Sequence, residues 1–217
     1  EPVMGFDVSF FLSNIPALLQ AAVLTVELSV LSIIIGFCLG VSIGLVRLSK
    51  LLLFRYVAIG YINFIRGTPM LVQLFVIYYG LPQFGLKLSA FMAALAGMSL
   101  NDAGYVAEIT RGAIQSIDKG QWEAAQATGL GYYQTMFHII FPQALKRMIA
   151  PLGNEFIQLI KASSLVSTIA MVELTRTAQL ISSATFRPME VLVGAALIYL
   201  AINLILSSLL SRVEIRL

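Results

Sequence analysis

The first long apolar run of the chain is longer than a lipid bilayer is thick. It extends from about Ile15 to Val46, some 32 residues. A helix of that length measures about 48 Å, whereas the hydrocarbon core measures about 30 Å, so we expect the helix to tilt or to protrude. Ser32, Gly36, Gly40 and Gly44 recur every four residues. They predict a face of small residues that another helix of the chain approaches closely, with a dimer seam as the alternative.

Composition indicates that the rest of the chain lies in the bilayer as well. Hydrophobic residues make up 59% of it and charged residues only 12%, against about 25% in soluble domains. The net charge of +3 fits a bias of the cytoplasmic loops better than nucleic-acid binding. We therefore predict an all-α membrane protein, a single transmembrane domain over residues 1–217 with about five transmembrane helices. After the first, these helices lie near residues 56–79, 88–109, 148–171 and 191–210.

Lysine and arginine are distributed unevenly between the loops. If the loop after the first run is cytoplasmic, the only basic loop residues on the outside are Lys87, Arg176 and Arg187. The positive-inside rule then predicts an external N-terminus and a cytoplasmic C-terminus. The positive residues assigned to the inside are Arg47, Lys50, Arg55, Arg111, Lys119, Lys146, Arg147, Arg212 and Arg216.

Two of the apolar runs are interrupted in the middle. In the second run, Pro69 follows Arg66 and removes a backbone donor, which predicts a break in the helix. The fourth run contains Lys161-Ala162-Ser163-Ser164. A helix that is broken at membrane depth must face protein or a water-filled cavity. Each interruption is therefore either a kink that packs helices together or a part of the wall of a path.

The third run carries an acidic residue within the predicted span. Asp102 lies beside a polar helical face, and an intramembrane Asp indicates a functional site. The alternative is a structural ion pair between Asp102 and either Arg66 or Arg111. The residues that share the polar face are Asn101, Tyr105 and Glu108.

A polar interval at about residues 118–142 separates the third run from the fourth. Asp118 can cap a short helix there, and Gly129 and Gly131 can end it with positive φ angles. We expect a second helix that stops before Pro142. A thin, exposed helix beside a cytoplasmic turn suits insertion into a groove of a partner protein. An amphipathic helix lying on the bilayer would need more lysine on its polar face.

The interval resembles the EAA loop of ABC-importer permeases. Glu123-Ala124-Ala125 is followed at the family's spacing by Gly129, and Phe141-Pro142 stands where the family usually has Leu-Pro. From about residue 15 onward the chain is also similar to the polar amino-acid subfamily of these permeases. The segments that carry this similarity are Arg66-Gly67-Thr68-Pro69 with Gln73, Gly104 to Glu108, Arg111-Gly112 and Pro151 to Asn154.

The resemblance implies a type I importer fold and a transport mechanism. It implies two permease subunits in a homodimer or heterodimer, two ATP-binding subunits on the EAA loops, and an external amino-acid-binding protein or fused domain. The permease subunits lie in a bacterial inner membrane, and closure of the ATP-binding subunits drives alternating access of the permease. The residues that would couple to the ATPase are Trp122, Glu123, Ala124, Ala125 and Gly129.

The chain itself lacks the residues of an ATPase. No G-x-x-x-x-G-K-[ST] phosphate loop occurs in it, so ATP and Mg²⁺ are expected on the partner. His138 is the only histidine, and no metal-ligand or nucleophile–base pattern accompanies it, so we predict neither a catalytic nor a metal site. The chain begins at Glu1 and not at Met, which leaves two alternatives open: upstream residues were removed, or they belong to a preceding domain.

Alternating-access sites tend to lie near the midplane at broken helices. We therefore predict that backbone groups of the second run and hydroxyls of the fourth hold a zwitterionic amino acid, with Asp102 facing its ammonium or a cationic side chain. Many relatives carry Asp after the lysine that matches Lys161, whereas this chain has Ala162. The predicted substrate residues are Gly67, Thr68, Pro69, Met70, Asn101, Asp102, Lys161, Ser163 and Ser164.

Two other functions remain open at this point. One is a permease for a related small solute, such as cystine or an opine. The other is a passive channel or a membrane scaffold whose loop binds a signalling partner. A channel would conduct without ATP, and a scaffold would transport nothing.

Overall fold

A computed structural model describes residues 5–214 of the chain, with side chains as far as residue 212. Arg216, which entered the charge argument, lies outside the described residues. The described part consists of helices and turns. The α-helices are α1 (Val8–Arg47), α2 (Leu52–Gly67), α3 (Met70–Phe75), α4 (Ala90–Gln115), α5 (Lys119–Ala127), α6 (Tyr132–Thr135), α7 (Phe141–Ala162), α8 (Leu174–Thr185) and α9 (Pro188–Glu214).

Turns of other pitch extend three of these helices. A π turn, Val76–Gly80, and a 3₁₀ turn, Leu81–Phe84, prolong α3. A π turn, Met136–Ile140, joins α6 to α7, and a 3₁₀ segment, Ser163–Ile169, follows α7. The polar segment before the last run also contains α8, a helix that the sequence did not predict.

Two helices, α1 and α9, are each long and apolar enough to cross a membrane. The number rises to four if each bent pair counts as one span, with a bend of 106° between α2 and the helix that starts at Met70, and of 49° before α8. Helix α4 is not among them although it has 26 residues, because its polar and charged residues lower its hydropathy. More than half of its residues are buried against other helices. A helix that protein surrounds does not need an apolar surface, which allows α4 to carry Asn101, Asp102 and Glu108.

The predicted face of small residues on α1 packs against α4, within the chain. A Cβ atom added to Gly40 would lie 2.8 Å from the Ala103 carbonyl oxygen, and one added to Gly44 would lie 2.8 Å from the Ala107 carbonyl oxygen. The α1–α4 seam is the largest helix contact in the chain. The prediction of packing inside the chain is therefore confirmed.

Apolar side chains form three buried clusters along α1. Near the start of α1, Leu18 packs against Leu174 of α8 and Val191 of α9. In the middle, Leu28 joins residues of α3, α4 and the 3₁₀ segment. Near the end of α1, partly buried side chains pack against the end of α4 and the start of α7 around Met148. Helix α1 therefore contributes side chains to all three clusters.

Two predictions about the polar interval are wrong. The helix that begins at Tyr132 does not stop before Pro142: the π turn places the Phe141 N–H on the Met136 carbonyl, and the helix continues through the proline. Gly131 has φ −71° and caps α6, because the single left-handed residue Gly129, φ +81°, already ends α5. The predicted cap at Asp118 is confirmed, since its side chain accepts a hydrogen bond from the Gly120 N–H at 2.6 Å.

Candidate functional site

The break in the second run lies at Thr68 and Pro69, as the sequence predicts. Thr68 adopts an extended backbone, φ −122° and ψ 146°, and α3 begins directly after Pro69. Such a break leaves carbonyl groups of α2 without their helical partners. The Gln73 side chain replaces part of what is lost: its Nε2 donates to the Ile65 carbonyl at 2.9 Å and to the Thr68 hydroxyl at 2.8 Å.

Asn101 is connected to this break. Its Nδ2 atom donates to Gln73 Oε1 at 2.9 Å, and both side chains are buried. The structure therefore brings together two predicted residues, Thr68 and Asn101, through a third residue that was not among the predicted site residues. Gln73 stands four residues after the proline, where an amide can reach back to the carbonyls that a proline break releases.

The second break, after Lys161, is also present. Helix α7 ends at Ala162 and the chain continues as the 3₁₀ segment. The Ser163 hydroxyl donates to the Ile160 carbonyl at 2.6 Å and the Ser164 hydroxyl donates to the Lys161 carbonyl at 2.8 Å. Each hydroxyl has used its only proton, so it can accept but not donate another hydrogen bond. This chemistry suits an ammonium group better than a carboxylate.

The two breaks lie close to each other. The 3₁₀ segment packs against α3 and α4, and the Tyr79 hydroxyl donates to the Thr168 carbonyl at 3.3 Å. Lys161 is exposed and Ser164 is half-buried, whereas Ser163 is buried. Residues from the second, third and fourth runs therefore surround one region of the fold.

Asp102 does not share this environment. Its side chain is fully buried between α1 and α4, and neither carboxyl oxygen has a hydrogen-bond partner among the described residues. The alternative of an ion pair with Arg66 or Arg111 is wrong, because both arginines face Glu108. The Arg111 Nε donates to Glu108 at 2.9 Å, and Arg66 Nη1 lies 3.9 Å from it.

Glu108 is the centre of an ion cluster that the sequence did not predict. Besides Arg66 and Arg111 it binds Arg47, which ends α1. The Arg66 guanidinium also lies 5.6 Å from the centre of the Tyr105 ring. The cluster therefore fastens the ends of α1 and α2 to α4. The distance of 61 residues between Arg47 and Glu108 explains why no local pattern shows the pair.

A second buried carboxylate was also missed. Glu173 caps α8, accepting from the Arg176 N–H at 2.8 Å, and its other oxygen accepts from the Tyr199 hydroxyl at 2.9 Å. Thr25 of α1 also contacts it, at 3.4 Å. An acidic residue directly before a helix start is a capping signal that the sequence contains. Burial of this group among partners from α1 and α9 holds the start of α8 in place.

The polar interval presents an exposed helix. Of the nine residues of α5, only Ala125 is buried, and Glu123 and Ala124 are open to solvent. The Trp122 ring stacks on Tyr132, with the ring centres 5.6 Å apart, and the Lys50 ammonium lies 5.7 Å from the Tyr132 ring centre. One face of α5 is therefore fixed near the end of α1, while the face that carries Glu123 and Ala124 is exposed to solvent.

Within residues 5–214, no group of three or more His, Cys, Asp or Glu side chains could hold a metal ion.

Comparison with known proteins identifies the family. Residues 32–217 match the family described as the binding-protein-dependent transport system inner membrane component. The probable amino-acid ABC transporter permease protein YckA of Bacillus subtilis is 45% identical over 197 residues, which cover 91% of this chain and 87% of YckA. The nopaline transport system permease protein NocM of Agrobacterium fabrum is 40% identical over 218 residues, which cover 96% of this chain and 90% of NocM.

A solved structure agrees with these relatives. The crystal structure described as an amino acid ABC transporter with histidines contains a chain of 41% identity. It superposes with a TM-score of 0.94 and covers 99% of this chain and 100% of that one. The all-helical fold expected from the resemblance, that of a type I ABC-importer permease, is thereby confirmed. This chain belongs to the family of inner membrane components of binding-protein-dependent transport systems.

Proposed function

We propose that this chain is the transmembrane subunit of an ATP-driven importer that moves a polar amino acid into the cell. The observation that carries the proposal is α5, a helix that is fixed on one face and free on the other. The relatives support the substrate class, since YckA and the chain of the solved structure are both described as parts of amino acid ABC transporters.

Helix α5 is the proposed docking element for a partner ATPase. The free face offers Glu123, Ala124 and Gly129 to a groove of that partner, which holds ATP and Mg²⁺. A displacement of α5 would pass through the stacked rings of Trp122 and Tyr132 to the end of α1. From there the Glu108 cluster connects α1 with α2 and α4. This chain of contacts supports alternating access driven from the loop.

The proposed orientation has the start of α1 outside and the EAA loop, residues 118–142, inside. Helix α1 has 40 residues, about 60 Å of helix, and so exceeds the bilayer core. Asp7 at its start pairs with Arg187 at 2.7 Å, while Lys50 beyond its end reaches Tyr132. The loop and the α8–α9 corner therefore lie at opposite ends of one helix. Five spans, α1, α2 with α3, α4, α7 with α8, and α9, agree with this arrangement in a single domain.

The substrate path is proposed to pass the two breaks. Backbone groups from Gly67 to Met70, the Asn101 amide and the residues from Lys161 to Ser164 come from helices that pack together. The Ser164 hydroxyl would accept from the ammonium of the amino acid, and Lys161 would face its carboxylate. The Ser163 hydroxyl would do so only after the 3₁₀ segment moves, since it is buried in this conformation. Contact between Asp102 and the substrate would require α1 and α4 to separate, since the carboxyl is enclosed in this conformation.

Coupling is tested in the complex with the ATPase subunit and the binding protein, reconstituted in liposomes. Glu123→Arg should detach or uncouple the ATPase while the chain stays folded. Lys146→Glu is the matched control, because it reverses an exposed charge on α7 and leaves α5 unchanged. If Glu123→Arg copurified with a fully active ATPase and imported solute normally, the docking role of α5 would be refuted.

Substrate class is tested in the same liposomes with a panel of solutes. We expect binding-protein-stimulated ATPase activity with a polar amino acid. The second candidate, an opine or a related solute such as cystine, is favoured by the 40% identity to the nopaline permease. Conduction without ATP would instead indicate a channel, and no transport of any solute would indicate a scaffold.

A further inference from the structure

The seam between α1 and α4 contains most of the buried polar atoms that lack a partner. Six buried side-chain oxygens make no hydrogen bond among the described residues, and four of them belong to Ser32, Ser99 and Asp102. Ser32 and Asp102 have no exposed surface, and Ser99 is 3% exposed. This concentration at one place distinguishes the seam from the rest of the molecule.

The helical register brings these three side chains to the same patch. A Cβ atom added to Gly36 would lie 2.8 Å from Asp102 Cβ and 2.9 Å from its carboxyl carbon. Gly40 faces Val106 in the same way, so the two helices run parallel in register. Ser32 precedes Gly36 by one turn of α1 and Ser99 precedes Asp102 by about one turn of α4, so both hydroxyls flank the carboxyl.

Among the side chains that the structure describes, no positive group pairs with the carboxyl. The α1 face that meets it consists of serine and glycine. The titratable groups that act on Asp102 from the other packed helices are Glu155 of α7 and Tyr61 of α2, and neither carries a positive charge. The nearby arginines are occupied by Glu108. A carboxylate that is buried without a partner is strongly disfavoured, and more so inside a membrane protein.

We propose that the α1–α4 seam is a proton-binding site in which Asp102 is held as a neutral carboxylic acid. The proton comes from water, adds to one carboxyl oxygen, and returns to water when the carboxyl ionises. In this conformation neither carboxyl oxygen reaches a hydrogen-bond partner among the described residues, and protonation removes the charge that would need one. The uncharged acid can then rest on the backbone of Gly36, which a carboxylate could not do without a counter-ion.

Separation of α1 from α4 would expose Asp102 to water and release its proton. The closed seam is therefore favoured at neutral and acidic pH, and the open seam gains as the pH rises. The proton site belongs to the chain itself and does not depend on which solute is transported.

The test is infrared spectroscopy on the full chain in nanodiscs, with isotope-labelled aspartate. Aspartate occurs only at Asp7, Asp102 and Asp118. The pKa of Asp7 is lowered to about 2, so it is ionised at neutral pH, and Asp118 is exposed and accepts a backbone N–H group. We expect one labelled, protonated C=O stretch per chain, which shifts in heavy water and is absent from Asp102→Asn. A spectrum of carboxylates alone would overturn the proposal, and this measurement on the unmutated chain does not depend on the variant folding.

Thermal unfolding against pH provides the second readout. Asp102→Asn should match the unmutated chain near pH 7 and exceed its melting temperature at alkaline pH, because the amide cannot ionise. Glu108→Gln is the control, since it replaces a charged and paired carboxylate and should lower the melting temperature near pH 7. Stabilisation of the unmutated chain by Na⁺ or K⁺ that Asp102→Asn abolishes would overturn the proposal in favour of a bound cation.

Discussion

The close approach of α1 and α4 predicts that Gly40→Ala destabilises the protein. The added methyl group would lie 2.5 Å from Val106 Cβ and 2.8 Å from the Ala103 carbonyl oxygen, whereas real Cβ contacts are essentially never shorter than 3.0 Å. The neighbouring atoms belong to a backbone and to a β-branched residue, so they cannot rotate away. The two helices must therefore move apart, and overpacking of this kind costs about 1–3 kcal/mol.

A matched control separates this cost from the effect of alanine on a helix. Alanine is favoured over glycine in a helix by up to about 1 kcal/mol. Gly112 of α4 has no atom within 4 Å of its added Cβ, so Gly112→Ala should show only this gain. The two variants should then differ by about 1–3 kcal/mol, or about 5- to 150-fold in the unfolding equilibrium constant.

The assay is reversible unfolding in mixed micelles, titrated with sodium dodecyl sulfate and followed by circular dichroism. Gly40→Ala should unfold at a lower mole fraction of the denaturing detergent than the unmutated chain, and Gly112→Ala at an equal or higher one. Equal stability of the two variants would refute the reasoning, because it would mean that α4 does not lie against the backbone of α1 at Gly40.

Three further changes test other parts of the fold in the same titration. Glu108→Gln leaves three arginines without their carboxylate partner and should lower the free energy of unfolding by about 1–3 kcal/mol. An unchanged midpoint would contradict the ion cluster. Phe186→Gly should raise the free energy of unfolding by about 1 kcal/mol, because the backbone angle φ +55° is unfavourable for any residue but glycine. The Phe186 side chain is 81% exposed, so its removal loses little buried surface. Destabilisation by this change would contradict the reasoning. The Phe10 backbone N–H, with Arg187, lowers the pKa of Asp7 from 3.8 to about 2. The contribution of ionised Asp7 to stability is complete above pH 3.8 and is lost as the pH falls towards 2. Asp7→Asn should therefore remove the loss of stability between pH 3.8 and 2 that is due to Asp7, and leave the rest of the pH dependence of unfolding unchanged.

Local features of the fold could be predicted because each depends on neighbours in sequence. Proline removes its own N–H group, so the break at Pro69 follows from one residue. The cap at Asp118 and the left-handed Gly129 likewise depend on a few adjacent backbone groups. The same reasoning failed at Pro142, because a π turn in the preceding residues accommodates the ring.

The candidate site was predicted in part. The sequence indicated Thr68 and Asn101 as polar residues of two different runs, but their link through Gln73 depends on how α3 packs on α4. Residues that act through distant partners, such as Glu108 and Glu173, were not identified as centres. Their partners lie far away in the chain, and sequence spacing within one helix does not report contacts between helices.

The sequence alone determined that the chain is a helical membrane protein, where its helices break, and that α1 offers a backbone surface for close packing. These properties follow from hydrophobicity and from the covalent limits of proline and glycine. Only the tertiary structure decided that α4 occupies that surface. It also decided that Arg47 pairs with Glu108 in an ion cluster that does not include Asp102, and that Asp102 lies against Gly36. A carboxylate has the same chemistry in both cases, and its role depends on which groups the packing of helices brings within reach.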